Sequence, residues 1–507
     1  MTLTDVGTGL HGTRSPSGGW HRENQSNGVD PDSTIANLFS PRIAVLLPIL
    51  QRLGVSLLDV MRLDAAAEAN GTDFQAELLA SNLVVEQEFF REIAREFQID
   101  FFDHIDPGKL TVDDDECAKL LRSRGKYLRA SMVGWDGRAR SIFVPCGLPL
   151  TDLQRVMKRN RDFRRIICMT SPQALRRAVH VRIQKRLADE ARNSLVERYP
   201  IYSAKRVISA WQSFFVGIGL SALATSFVMS TATTFIVVHI VLSAFFLACV
   251  VLRVLAARSN LEPTQCALDL IPAAALPFYT VLVALHHEAE VVPQLIAALT
   301  KIQWPSSKLE IKLVCEADDR STLEAIAAIR LRYHFEVIEV PPGLPRTKPK
   351  ALSYALQLIK GDYVVLYDAE DRPHPMQLLE AWHKFEAGGE SLACVQAPLQ
   401  IANGRNGIIS LLFAFEYSAL FRGLLPWLSG RHALLPLGGT SNHFRASALE
   451  DVGGWDPYNV TEDADLGLRL LRFGYHTATI NLPTLEDAPE SFAVWLPQRT
   501  RWFKGWI

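Results

Sequence analysis

The stretch Tyr363-Val364-Val365-Leu366-Tyr367-Asp368-Ala369-Glu370-Asp371 decides the reading of this chain. Five apolar or aromatic residues in a row, rich in β-branched and ring side chains, predict a short strand buried on both faces, as in the middle of a parallel sheet. Three carboxylates crowd its end. In an open α/β sheet the ligand crevice lies outside the carboxyl ends of the strands, so acidic residues there mean more than acidic residues on an arbitrary loop.

Working outward, further strands are expected at Phe278 to Leu285, Ile311 to Cys315, Phe335 to Val340 and Leu392 to Val395. Helical periodicity separates most of them, around Val291 to Leu299, Leu323 to Tyr333, Ala351 to Ile359 and Met376 to Phe385. This alternation predicts an α/β fold with a mostly parallel, doubly wound, Rossmann-like sheet over residues 263–507. A second acidic end, Glu316-Ala317-Asp318-Asp319, follows the second strand. Converging carboxylates suit a hard divalent cation, which in turn bridges a diphosphate and stabilises it as a leaving group. Between the two clusters, Arg346-Thr347-Lys348-Pro349-Lys350 opens a helix, and Lys348 and Lys350 are candidates for the same diphosphate.

Two later motifs complete the set. Thr461-Glu462-Asp463 precedes a helical run of leucines; Thr461 suits an N-cap with Glu462 and Asp463 in the first turn, where the helix dipole favours negative charge. The functional alternative makes Asp463, beside Glu462, a general base for an acceptor hydroxyl, kept ionised by the dipole. Gln498, Arg501 and Trp502 stand at i, i+3 and i+4, so one helical face presents an amide, a guanidinium and an indole. The aromatic residues around them suit a helix lying in a membrane interface.

From Val207 to Leu252 there is no Asp, Glu, Lys or Arg. One span needs about 20 residues, and the polar Ser230-Thr231-Ala232-Thr233-Thr234 divides this run into two, giving a transmembrane hairpin over 207–253. Lys205-Arg206 precede the first span and Arg253 and Arg258 follow the second, which by the positive-inside rule puts both flanking domains in the cytoplasm, and the 15 Lys/Arg against 5 Asp/Glu of residues 151–206 suit anionic membrane lipid. A formal net charge of -1 over 507 residues gives no case for nucleic acid. The seven cysteines are scattered without a C-x-x-C pair, which argues against a disulfide framework and a thiolate zinc site. Residues 1–40, rich in Gly, Ser, Thr, Asn and Asp, read as a disordered tail.

Taken together, Asp368 to Asp371, the Thr461-Glu462-Asp463 triplet and Gln498-x-x-Arg501-Trp502 resemble, in order, the D-x-D-like, T-E-D and Q-x-x-R-W motifs of the processive family 2 glycosyltransferases, the group of cellulose and other β-glucan synthases. The resemblance implies a GT-A fold, a UDP-sugar donor, Mg²⁺ or Mn²⁺, inversion at the anomeric carbon, and growth of an exported β-linked polysaccharide by an inner-membrane, multi-pass enzyme. Carried over, Glu316, Asp318 and Asp319 contact the nucleotide, Asp368 with Glu370 or Asp371 serves the metal, Asp463 is the base, and Gln498, Arg501 and Trp502 meet acceptor and diphosphate. Gly438 to Asn442 and Phe415-Glu416-Tyr417 resemble acceptor-side segments. Such enzymes continue with more membrane spans, whereas this sequence stops at Ile507. The expectation is therefore a truncated synthase, or one whose partner subunit supplies channel helices; a silent regulatory subunit and a one-sugar transferase are the alternatives.

Residues 41–200 read as a mainly helical domain that resembles the N-terminal domain of type II secretion ATPases, some of which bind cyclic di-GMP. Aligned on Leu78-Leu79, that pattern meets Asp73 where its Arg belongs. A phosphate site that exchanges Arg for Asp loses its charge complement, so cyclic di-GMP is not the expected ligand.

Overall fold

The computed structural model describes residues 40–506 except 135–136, 148–149, 160–162, 207–208, 259–267 and 269–270. The expected tail, Ser40 aside, the start of the expected hairpin at Val207, and Pro263, where the C-terminal domain is expected to begin, lie outside the described residues.

The N-terminal region is helical, with a sheet that the helical reading overlooked. Helix Glu86–Phe97 exists because Phe89, Phe90, Ile93, Ala94 and Phe97 fall on one buried face. Behind it, β1 (Asp100–Phe101), β2 (Tyr127–Val133), β3 (Ala139–Pro145) and β4 (Ile167–Met169) form a four-stranded sheet in the order β1-β4-β3-β2. In β2, Leu128, Ala130 and Met132 point inward and the residues between them outward, a period of two that separates strand from helix. A long helix, Pro172–Arg198, then carries the chain onto the C-terminal domain.

Three helices among the described residues are long and apolar enough to cross a membrane: Ala210–Met229, Thr231–Arg258 and Ile408–Ser429. The first two fall within the expected hairpin. Ser209 and Gln212 close a capping box at its start. At the polar break, Ser226 Oγ and Thr234 Oγ1 pair at 2.6 Å, so these hydroxyls satisfy each other. The third helix departs from the expected two. Glu416 and Arg422 interrupt its apolar run, yet its outer face exposes Ile408, Leu411, Leu412 and Phe415, while Phe413, Tyr417, Phe421 and Leu425 pack inward.

The C-terminal domain is built on a seven-stranded sheet in the order β13-β10-β12-β8-β5-β6-β7. Its members are β5 (Tyr279–Leu285), β6 (Leu309–Glu316), β7 (Phe335–Val340), β8 (Tyr363–Tyr367), β10 (Leu392–Gln396), β12 (Asn442–Arg445) and β13 (His476–Thr479). The neighbours β8, β5, β6 and β7 run parallel, as the alternating pattern predicts. All five residues of β8 are buried, the double-sided burial that its composition implies. One strand runs the other way: β12 inserts antiparallel between β8 and β10, pairing Asn442 with Leu366. The sequence signals a glycine-led loop there, and four residues are too few to display a period. A three-stranded sheet of β9 (Arg372–Pro373), β11 (Leu399–Ile401) and β14 (Thr484–Glu486) flanks the rim.

The long N-terminal helix packs on helix Lys348–Leu356. There His180 Nε2 meets the Tyr354 hydroxyl at 2.7 Å, and Gln357 donates to the Leu187 carbonyl at 2.9 Å. Helix Glu462–Arg472 is pressed against the segment before β12 at Gly467, where a Cβ would stand 2.6 Å from the Leu435 carbonyl oxygen. Only glycine admits that approach.

Candidate active site

Parallel strands deliver their carboxyl ends to one rim, and the acidic loops after β5, β6 and β8 open there. Lys348 lies at the centre. Thr347 caps its helix, accepting from the Lys350 amide at 3.4 Å and donating to the Pro457 carbonyl at 2.8 Å. Lys348 Nζ donates to Asp368 Oδ1 and, at 2.9 Å, to the Gly439 carbonyl. Burial disfavours its charge, but Asp368, Asp463 and Glu462 more than offset this and hold it above the ordinary lysine range.

Around this one ammonium the carboxylates outnumber the cations. Asp463 is pushed well above the ordinary aspartate range, first by burial and then by Glu462 and Asp368, with Lys348 opposing. Glu462 is raised by burial and Asp368 against the pull of Lys348. These directions correct the expectation from the helix dipole alone, because desolvation and neighbouring carboxylates act on the same group and outweigh it. The capping expectation also changes: Thr461 stands at the N-cap but makes no side-chain cap bond, its hydroxyl donating to Asn459 Oδ1 at 3.2 Å.

Asp371 is 1% exposed. Its Oδ2 accepts from the Asp368 amide at 2.7 Å and from the Thr440 hydroxyl, while its Oδ1 is buried without a hydrogen bond. Asp371 therefore braces the Asp368 turn from beneath, whereas Glu370 reaches solvent beside it. Gly439 and Thr440, expected on the acceptor side, instead touch Lys348, Asp368 and Asp371.

The carboxylates after β6 divide. Glu316 is buried and pairs with buried Lys350 at 2.7 Å, so these two candidates are held by each other. Asp318 pairs with Arg346 at the surface. Asp319 is 4% exposed and accepts from the His287 amide at 2.6 Å, the Ser321 hydroxyl at 3.0 Å and the Thr322 amide at 3.3 Å. Burial alone would raise it, but these donors bring it down to about 2. It ties the loop after β5 to the helix after β6, and that loop carries Glu288.

Glu486, at the end of β14, escapes sequence reading because it stands far along the chain in an unremarkable loop-like stretch. Burial first, then Asp368 and Glu370, raise it to about 8, and its Oε2 is buried without a hydrogen bond.

Gln498, Arg501 and Trp502 lie on helix Phe492–Trp506. Gln498 Oε1 is buried without a partner, and Trp502 stacks obliquely on Phe413 with centroids 6.1 Å apart. Arg501 is exposed. The guanidinium that packs inward is Arg499, over Trp502 at 4.6 Å and Phe413 at 4.7 Å, with both terminal nitrogens on the Glu416 carboxylate. The signal for it was Glu416, the single carboxylate of an apolar helix.

The oxygen-only donor set and the unpartnered Asp371 Oδ1, Asp463 Oδ1 and Glu486 Oε2 suit a hard cation. Among the described residues no three His, Cys, Asp or Glu side chains form a ready-made metal cage. Magnesium characteristically takes one or two carboxylates and completes its shell with substrate phosphates and water, and the donor set fits that mode.

A mostly parallel α/β sheet with an acidic rim and a buried carboxylate pair defines the class to which comparison with known proteins leads. Residues 277–505 match the family model described as Glycosyltransferase like family 2. Over 239 residues the chain is 29% identical to the probable glycosyltransferase YdaM of Bacillus subtilis, covering 45% of this chain and 55% of that protein. It is 29% identical over 244 residues to glucomannan 4-beta-mannosyltransferase 7 of Arabidopsis thaliana, covering 46% and 43%. The chain thus spans about half the length of the curated relatives it matches. A solved mannosyltransferase of Pyrobaculum calidifontis, in complex with GDP-Man and Mn²⁺, is 21% identical with a TM-score of 0.40, covering 51% of this chain and 70% of that one.

Proposed function

We propose that the chain is a membrane-bound, inverting glycosyltransferase that moves a hexose from a UDP-sugar to a growing β-linked polysaccharide of the glucan or mannan kind. The observation that carries this reading is the buried Glu462–Asp463 pair beside Lys348 and Asp368, at the strand ends of a family 2-type domain. Asp368 and Glu370 hold Mg²⁺ or Mn²⁺, with Asp371 fixing the turn that presents them. The cation, when bound, neutralises the departing diphosphate. Lys348 adds a fixed positive charge on the same side. Asp463, ionised, takes the proton of the acceptor hydroxyl; its elevated proton affinity makes it a stronger base than an exposed aspartate. Gln498 and Trp502 line the acceptor path, and Arg501 stands at its outer edge.

The two helices of the hairpin and the outer face of Ile408–Ser429 seat the domain on an inner membrane, with both flanking domains on the cytoplasmic side. The names of the plant relatives favour mannose or glucose as the sugar transferred.

The test is incorporation of labelled sugar by membranes carrying the chain. Incorporation should fall on chelation and return with Mg²⁺ or Mn²⁺. Asp463→Asn should reduce it by a factor of about 100 or more, the range for loss of a positioned base, with thermal unfolding unchanged or shifted upward. Undiminished incorporation by the mutant would sink the base assignment. A short, monomeric product would replace the polymer reading with single-sugar transfer.

A further inference from the structure

Away from the acidic rim, a cavity of about 390 Å³ lies between the N-terminal domain and the opposite edge of the catalytic sheet. Its walls come from both sides: Asp73 and Arg176 from the N-terminal domain, Phe278, Glu310, His334 and Lys360 from the residues that lead into β5, β6, β7 and β8. A strand length, roughly 20 Å, separates it from the acidic loops at the far ends of the same strands.

The charges of this cavity are largely engaged already. Arg124 at its mouth holds Asp362 through two bonds of 2.6 and 2.8 Å. Lys308 donates to the carbonyls of Ala273, Ala274 and Leu276. Lys312 bridges Glu336 at 2.7 Å and Glu310 at 3.3 Å, and Lys360 stands 3.3 Å from Glu310. What remains unmatched is polar and of both kinds. Arg176 Nε and His334 Nδ1 are buried without a hydrogen bond, and so is Glu310 Oε2, which its lysines approach without hydrogen-bond geometry. His334 is 8% exposed and Glu310 5%. A native interior seldom leaves three such atoms around one space.

A phosphate or carboxylate would satisfy Arg176 but meet the carboxylates of Asp73 and Glu310. A hydroxyl both donates and accepts, so an array of hydroxyls satisfies Arg176, His334 and Glu310 together. The Phe278 ring supplies an apolar face for the C–H side of such a molecule. We propose that this interdomain cavity binds a small neutral polyhydroxylated ligand of mono- to disaccharide size. The site is connected to the acidic rim by helix Lys348–Leu356, which presents Lys348 at one end, packs on the N-terminal domain through Tyr354, and leads to Lys360 at the other. Occupancy therefore bears on the same helix that places Lys348.

The experiment is ligand-observed saturation-transfer NMR on the full chain in nanodiscs, with UDP in excess to fill the donor site and glucose, mannose and cellobiose as probes. At least one sugar should bind saturably, at least tenfold more weakly in Arg176→Met and in His334→Phe, and should slow amide exchange around residues 306–310 in the unmutated chain. Inorganic phosphate should not displace it. The proposal is overturned by folded chain that binds none of the probes, by binding that survives both variants, or by displacement with phosphate, which would mark an anion site. Turnover is not read, so failure of the transferase reading leaves this test intact.

Discussion

Asp319 looks in the sequence like a nucleotide contact, one of several carboxylates at a strand end. Its surroundings make it a brace: three donors converge on it, and its helix begins there. Because its folded pKa of about 2 lies below the ordinary aspartate value, the ionised form stabilises the fold above about pH 4. That stabilisation is lost as pH falls through about 2. Asp319→Asn should cost about 1.5–3 kcal/mol near neutrality, because an amide NH2 replaces one of the two charged oxygens that accept from His287, Ser321 and Thr322. Its melting temperature should approach that of the parent as the pH is lowered from about 4 to about 2; a gap that widened in acid would contradict the assignment. Asp463 and Glu486 move the other way, because Asp463 is buried and Glu486 half-buried beside other carboxylates with a single lysine to share.

At the level of elements, helix Phe492–Trp506 is positioned by one side chain that its motif does not name. Arg499 lies sandwiched between aromatic rings and forks onto Glu416, joining this helix to Ile408–Ser429. Lysine keeps the charge but loses the fork and the flat face. Arg499→Lys and Glu416→Gln should each lower sugar incorporation and thermal stability, and the double variant should be less harmful than their sum, with a coupling of about 0.5–3 kcal/mol. Strictly additive losses in a double-mutant cycle would show the two residues to be independent. Spacing alone puts Gln498, Arg501 and Trp502 on one helical face; the helix is present, with Gln498 and Trp502 half-buried and Arg501 exposed. Which arginine turns inward was not readable, since the answer depends on the facing helix.

Across the whole molecule, the N-terminal domain is held by two kinds of contact. Arg122–Glu450 and Arg124–Asp362 are half-exposed pairs, a kind usually worth no more than about 1 kcal/mol each. The packed face of Pro172–Arg198, with His180 on Tyr354, is largely buried. Arg122→Ala with Arg124→Ala should therefore leave amide-exchange protection along Pro172–Arg198 nearly unchanged. Tyr354→Phe removes the partner of a half-buried His180 nitrogen and should lower stability by about 1 kcal/mol, with protection falling on that helix first. Equal losses from the two variants would mean that the surface pairs carry the docking.

The sequence by itself determined the parallel core, the two long apolar helices and the acidic strand ends, because each rests on a local pattern: a run of buried residues, a charge-free length, a motif at the end of a strand. Tertiary structure alone decided which carboxylates share the site. Glu316 and Lys350 neutralise each other, Asp371 turns inward to Thr440, and Glu486 arrives from a strand of the flanking sheet. The antiparallel β12 and the half-buried third apolar helix belong to the same category. Burial and charge pairing depend on neighbours remote in sequence, and a spacing pattern carries no record of them.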